Sequence, residues 1–197
     1  QGYAVTALVR NPAKLTQHSP HLTVVTGSPT NLSDVRRAMT GCEAVISALS
    51  ALPEADSFSI KKLAPPHTLA TTMRHSIAVM RELGIKRIVT LSSIGAGDSW
   101  PYAPWYMRLM IRLTNFKLVF ADHTQQEALL RQSTLDWVIA RPVALNDRQS
   151  AGQLVVEYKR TPSPFAISRQ RLAHFMLDSL RSDTYVHQAP LLAEKPA

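Results

Sequence analysis

Short apolar runs that end in small, polar or cationic residues recur along this chain, separated by longer stretches with helical spacing. No other feature limits the fold as much. Strands alternating with helices of this length line up in parallel, and each crossover helix covers a sheet face. The expected strands are Tyr3–Val9, His21–Thr26, Ala44–Leu49, Arg87–Ser92 and Asp136–Ala140. The expected helices are Asn31–Thr40, about Pro66 to Leu83, about Asp122 to Gln132, and Ser168–Ser182. Asn31 or Ser33 is placed to cap the first helix, and Gly84 to stop the second. In the last helix, Leu172, Phe175, Met176 and Leu180 recur three and four residues apart, the mark of a buried face. The class is therefore α/β with a doubly wound parallel sheet, and residues 1–197 read as one domain. The proline-bearing pieces around Pro53, Pro65-Pro66 and Pro162-Ser163-Pro164 read as loops within it.

Lysine and arginine outnumber acids by 22 to 14, giving a formal charge of +8. Such a field favours anionic partners, whether nucleotides, carboxylated or phosphorylated substrates, nucleic acid or an anionic membrane surface. No nucleic-acid-binding module is recognisable, so no nucleic-acid partner is expected. No run of about 18 apolar residues is present to span a membrane. The single cysteine, Cys42, excludes an internal disulfide and suits a reducing cytosol, so a cytoplasmic location is expected. His18 and His21 share a loop with no cysteine partner, and a metal site is not expected there.

In a doubly wound sheet, ligands lie outside the carboxyl ends of the strands. The residues at those ends are Arg10, Ser28-Pro29, Leu49-Ser50, Ser92-Ser93 and Arg141-Pro142-Val143. In VTALVRNPAKL, residues 5–15, a strand ends on a guanidinium, a proline opens a helix, and Lys14 follows Arg10 by one turn. An acid at this strand end would accept from a ribose 2′-hydroxyl. Arginine instead matches a 2′-phosphate through its planar fork. A merely solvated arginine would leave the same sequence.

The segments GYAVTALVRNPAKL, VTGSPTNLSDVRRAMTGCEAVISALS, KRIVTLSSIGAGDS and EALLRQSTLDWVIARP resemble the atypical short-chain dehydrogenases/reductases. The nearest subgroup is the NAD(P)H-binding one that includes NmrA-like and biliverdin reductase B/flavin reductase-like proteins, and ISRQRLAHFMLDSLRSDTY is similar to the end of that domain. The resemblance implies a Rossmann domain that prefers NADPH to NADH. It implies that Arg10 and Lys14 hold the 2′-phosphate, and that Ser28 and Pro29 lie near the adenine. Leu49 and Ser50 would pass the ribose and pyrophosphate. Leu91 and Ser93 would flank the nicotinamide, with Pro142 and Val143 on its carboxamide side. The family often has aspartate at Ser28 and glycine at Ser50. Its biliverdin reductase has histidine at Val143, so tetrapyrrole reduction in particular is not implied.

Two signatures of the wider family are missing. The 7 glycines form no G-x-x-G-x-x-G after a strand, and GAG at 95–97 reads as a turn. A Tyr-x-x-x-Lys pair is also absent, with Val119 and His123 standing where it would fall. Ser93 and His123 are then the candidate catalytic proton donors. Ser93 also reads as a loop-forming hydroxyl. His123 also reads as a solvated or capping residue at a helix start, titrating near neutrality. The expected activity is NAD(P)H-dependent reduction of a flavin, quinone or similar conjugated acceptor. The alternative is a non-catalytic NAD(P)-sensing regulator of the NmrA-like type. In the Rossmann order the first strand lies between Tyr3–Val9 and Ala44–Leu49. A strand, a glycine-rich turn and a helix are therefore expected upstream of Gln1. The segment WPYAPWYMRLMIRLTNFKLVF, residues 100–120, has three readings: an interfacial amphipathic helix, a lid over an aromatic substrate, or a helix packed on the domain with its cations in water.

Overall fold

A computed structural model describes residues 2–17, 19–150 and 152–196; His18 lies outside them. In chain order the elements are β1 (Val5–Val9), β2 (Leu22–Thr26), α1 (Leu32–Met39), β3 (Ala44–Ser47), α2 (Glu54–Phe58) and α3 (Thr68–Leu83). There follow β4 (Arg87–Leu91), α4 (Trp105–Leu113), α5 (Phe116–Arg131), β5 (Asp136–Pro142) and β6 (Leu145–Asn146). The chain closes with β7 (Gln153–Glu157), β8 (Ile167–Ser168), α6 (Arg169–Asp178) and β9 (Leu191–Lys195).

The main sheet has the order β3-β4-β5-β9-β7, parallel except for the β7–β9 pair. Strands β1 and β2 form a separate parallel pair, with Val5 opposite Leu22 and Val9 opposite Thr26. No ladder joins β1 to β3 among the described residues; a groove of about 380 Å³ separates them. Residues 5–8 of β1 and 44–47 of β3 form its two walls, and α1 and α3 contribute Val35, Ala38, Thr72 and Ser76. This is the place that the Rossmann order assigns to a central strand.

The pleat of β4 and β5 sorts side chains to two faces. Ile88, Trp137 and Ile139 join Met73, Met80 and Leu130 under α3 and α5. Val89, Val138 and Ala140 point the other way, into a cluster with Leu172, Phe175 and Met176 of α6. The helices thus cover both faces, as a doubly wound sheet requires. Asn31 caps α1, its side chain accepting from the Ser33 and Asp34 amides, and Gly84 ends α3 in the left-handed region at φ 73°.

Several elements depart from their sequence patterns. No helix follows Arg10; Pro12–Lys14 makes a single 3₁₀ turn, because the polar run after Leu15 has no apolar face to bury. The 100–120 stretch is broken into a 3₁₀ turn, α4 and the start of α5, since Pro101, Pro104 and the extended backbone at Thr114 interrupt it. Helix α5 therefore begins at Phe116 rather than near Asp122, and His123 falls in its interior. Strands β7 and β9 arise from stretches whose strand character comes from pairing with each other.

Candidate functional site

Strand β1 runs parallel to β2, and β3, β4 and β5 run parallel to one another, so within each sheet the residues that follow the strands gather at one end. At the β1 end, Val9, Arg10, Asn11, Lys14 and Leu15 line a depression of about 500 Å³. The Asn11 side chain accepts from the Ala13 amide at 3.0 Å and closes the 3₁₀ turn that carries Lys14. Arg10 and Lys14 are both exposed, and neither forms an ion pair among the described residues. Two free cations in one hollow suit a phosphate.

Pro29 and Leu49 line the groove between β1 and β3. Ser28 sits beside Pro29 but is occupied locally. Its amide donates to Asp34 Oδ2 at 2.9 Å, and its hydroxyl shares a hydrogen bond with Thr30 Oγ1 at 2.8 Å. Gly27 permits this close approach, since a Cβ there would fall 2.6 Å from the Asp34 carboxyl carbon.

Ser50, Ser93, His123 and Val143 come together around a third hollow, of about 540 Å³. Its other walls are mostly apolar and aromatic, with Phe58, Tyr106, Met110, Phe116, Phe120 and Phe165 prominent. Ser93 Oγ donates to the Ile94 carbonyl at 3.2 Å, and Ser50 Oγ to the Leu52 carbonyl at 2.9 Å. Leu91 and Pro142 act through their backbones. The Leu91 carbonyl accepts from Gln126 Nε2 at 3.0 Å, and the Pro142 carbonyl from the Ile94 amide at 3.1 Å.

His123 differs most from its expectation. It is buried, and its Nδ1 has no hydrogen-bond partner among the described residues. Burial pushes the imidazole down to about 4, against the opposing pull of Glu127 and Asp122. It is therefore neutral near pH 7 and does not titrate near neutrality. The cause is its place in the interior of α5, one turn along from Val119 and Phe120, which both face the core.

Beneath Ser93 lies a polar network that the sequence patterns do not mark. Glu127 Oε1 accepts from Ser92 Oγ at 2.6 Å and from Arg141 Nε at 3.0 Å. Arg141 Nη2 reaches Glu127 Oε2 at 2.5 Å and also pairs with Asp98. Arg141 is thus not a strand-end group facing a ligand: its guanidinium is buried, and burial disfavours its charge. Glu127 and Asp98 outweigh that effect and hold its proton more tightly than usual. Gly97, at φ 54°, passes so close that a Cβ would lie 2.6 Å from Glu127 Oε2. The GAG turn is therefore folded over the ion pair, and the pair fixes the 92–98 loop to β5. Asp122 acts likewise on α3, accepting from the Leu69 and Ala70 amides at 2.9 Å each. Spacing held one clue: Asp122 and Glu127 share α5 with Phe120 and Leu130, and like them are buried. Among the described residues no cluster of metal-ligating side chains occurs.

The sequence matches the NAD(P)H-binding family across residues 1–183. This chain belongs to the NAD(P)H-binding family. Its fold is shared with ChuY of Escherichia coli O157:H7, described as an anaerobillin reductase. The TM-score is 0.73 and the identity 22%, over 98% of this chain and 87% of that one. A short-chain dehydrogenase/reductase of Veillonella parvula in complex with NADP gives a TM-score of 0.73 at 17% identity, over 98% and 83% of the two chains. An uncharacterized chloroplastic protein of Arabidopsis thaliana is 27% identical over 188 residues. The match covers 91% of this chain and 64% of the plant protein, so this NAD(P)H-binding chain spans less than two thirds of that relative. No helix among the described residues is long and apolar enough to cross a membrane.

Proposed function

We propose that this chain is an NADPH-preferring oxidoreductase that reduces a flavin, quinone or similar conjugated acceptor. One observation carries the reading: residues that follow parallel strands line both an apolar, aromatic-walled hollow containing Ser93 and Val143 and a hollow containing two cations with no ion-pair partner among the described residues. The residues present fit the two ends of a nicotinamide dinucleotide. Arg10 and Lys14 would hold the 2′-phosphate. Leu91, Ser93, Pro142 and Val143 would flank the nicotinamide, with Ser28, Pro29, Leu49 and Ser50 between. When bound, the dinucleotide supplies a hydride; a conjugated acceptor takes it up with one proton, giving the two-electron-reduced acceptor and the oxidised nucleotide. The chain's own part is to bind the acceptor's flat apolar body beside the nicotinamide end of the dinucleotide. His123 is uncharged, and the Ser93 hydroxyl already donates to the Ile94 carbonyl, so the proton comes from solvent.

The test is a pair of titrations, NADPH and NADH, on wild type and Arg10→Ala. A charge-assisted contact contributes on the order of 1.5–3 kcal/mol, or about 10- to 150-fold in affinity. Arg10→Ala should remove most of the preference for NADPH and leave NADH binding nearly unchanged. Raised salt should narrow the wild-type gap. Equal losses for both nucleotides would make Arg10 structural, and equal wild-type affinities would end the phosphate-clamp reading.

A second reading is a dinucleotide sensor without turnover, favoured by the neutral, buried His123 and the missing Tyr-x-x-x-Lys pair. NADPH oxidation with a panel of flavins and quinones separates the two.

The groove between β1 and β3 bears on both readings. Its walls carry Ser47 and Thr72, whose buried hydroxyl oxygens have no partner among the described residues, which also form no ladder between the facing strand edges. We propose that a strand from a segment upstream of Gln1 fills this groove, with its turn over the pyrophosphate. In a chain carrying that segment, amide exchange along β1 and β3 should slow markedly. Unchanged exchange at Ala44–Ser47 would rule the insertion out.

A further inference from the structure

Helix α4 turns an apolar stripe to solvent. Trp105, Leu109 and Leu113 follow one another at four-residue spacing and are 71%, 49% and 64% exposed. Ile111 is the one fully buried residue of the helix. A helix that served only to cover its own domain would bury such a stripe. The end of α2 and the segment after it extend the same kind of surface, with Phe58, Ile60 and Leu63 exposed, Ile60 at 82%. The two pieces are tied together. Asn115, just past α4, donates its amide to the Ser59 carbonyl at 2.9 Å and its Nδ2 to the Lys61 carbonyl at 2.9 Å. Phe58 meets Phe116 edge to face, with ring centroids 4.9 Å apart. Single exposed apolar residues are ordinary, but a continuous patch calls for an occupant.

Charge selects the occupant. Residues 57–81 and 99–121 contain no aspartate or glutamate, whereas Lys61, Lys62, Arg108, Arg112 and Lys117 lie in or beside the patch. None of these cations has an ion-pair partner among the described residues. Arg108 and Arg112 share the four-residue spacing of the stripe and run along it, and Arg112 stacks over the Trp100 ring at 5.5 Å. Exposed tryptophan and leucine edged by cations, without acids, match an anionic lipid surface better than another protein face.

We propose that α4 and residues 58–63 rest on an anionic bilayer, with Trp105, Leu109, Leu113 and Ile60 in the boundary between headgroups and acyl chains. Phe58 and Tyr106 are both exposed and both line the aromatic-walled hollow. The docked surface therefore presents that hollow to acceptors dissolved in the membrane, a consequence that rests on the reductase reading above.

The chain, without nucleotide, is sedimented with vesicles of phosphatidylglycerol and phosphatidylcholine and with vesicles of phosphatidylcholine alone. Binding is expected to the anionic vesicles only, to weaken in raised salt, and to shift Trp105 fluorescence to the blue. Arg108→Gln and Arg112→Gln should each lower partitioning about fivefold, and Leu109→Asp by about tenfold or more. These side chains lie on the surface, so unchanged thermal unfolding verifies that the variants fold. Absence of sedimentation, or equal sedimentation with both vesicles regardless of salt, overturns the proposal. A wild-type dimer that Leu109→Asp converts to a monomer, with no vesicle binding, also overturns it and makes the patch a protein interface. The nucleotide titrations do not depend on lipid, so the two readings fail separately. Docking without NADPH oxidation by a vesicle-embedded quinone removes the acceptor consequence and leaves the surface in place.

Discussion

Glu127→Ala is expected to destabilise the chain by about 3–5 kcal/mol, the usual cost of removing one partner from a buried ion pair. The Glu127 side chain is 2% exposed and that of Arg141 4%, so water cannot replace the lost carboxylate. Asp98 remains beside Arg141, but it is 70% exposed and reaches only one end of the guanidinium. The Ser92 hydroxyl loses its acceptor in the same change. Replacing both partners at once, Glu127→Leu with Arg141→Met, should recover much of the loss, because no buried charge is then left unpaired. Urea unfolding of the two variants beside wild type decides the matter. A loss under about 1 kcal/mol for Glu127→Ala would mean that water reaches the pair and that the network does not anchor the 92–98 loop. The functional consequence follows from position: Ser93 leaves β4 on that loop, so a loosened loop blurs one wall of the aromatic hollow.

The alternation of strand and helix was legible because burial imposes it. The central strands of the main sheet are covered on both faces, so β4 and β5 read as apolar runs, and the helices show their apolar stripes. Asn31 and Gly84 were legible as caps because their chemistry is local. Arg10 and Lys14 lie four residues apart and share a hollow, but the helix expected to carry Lys14 is a single 3₁₀ turn. What escaped depends on distant partners. Arg141 looks like any cation at a strand end until α5 brings Glu127 beneath it, and Asp122 looks like a helix-start residue until α3 lays its amides on it. Strands β7 and β9 show little until they pair. The break between α4 and α5 was hidden because apolar and cationic residues flank Thr114 and Asn115 on both sides, so these two polar residues read as part of one segment. The helix expected from about Asp122 in turn set His123 near a helix start, where it would have been wet.

Acid titration of stability should expose that error most clearly. An isolated histidine takes up its proton near 6.5, whereas burial holds His123 down to about 4. Between those values the unfolded chain binds a proton at this site and the folded chain does not, so stability rises with pH across that window. The contribution is fully present above about pH 6.5 and is lost progressively as pH falls toward 4. Some 2.5 pH units at 1.36 kcal/mol each make the loss roughly 3 kcal/mol. His123→Gln keeps a polar group of similar size and removes the titration. Its unfolding free energy, measured by urea at steps from pH 8 to pH 4, should therefore fall less steeply than that of wild type, with the difference between the two proteins changing only below about 6.5. Taking the difference cancels the remaining histidines and the carboxylates. Parallel curves over the whole range would show that His123 ionises in the folded chain much as in water. The same neutrality sets its part in the hollow. An uncharged imidazole has no labile cationic proton to give an acceptor molecule, so His123→Gln should lower turnover only mildly. Any limb in the pH–rate profile near neutrality should survive the substitution. A limb that disappears with it would return His123 to the role of general acid.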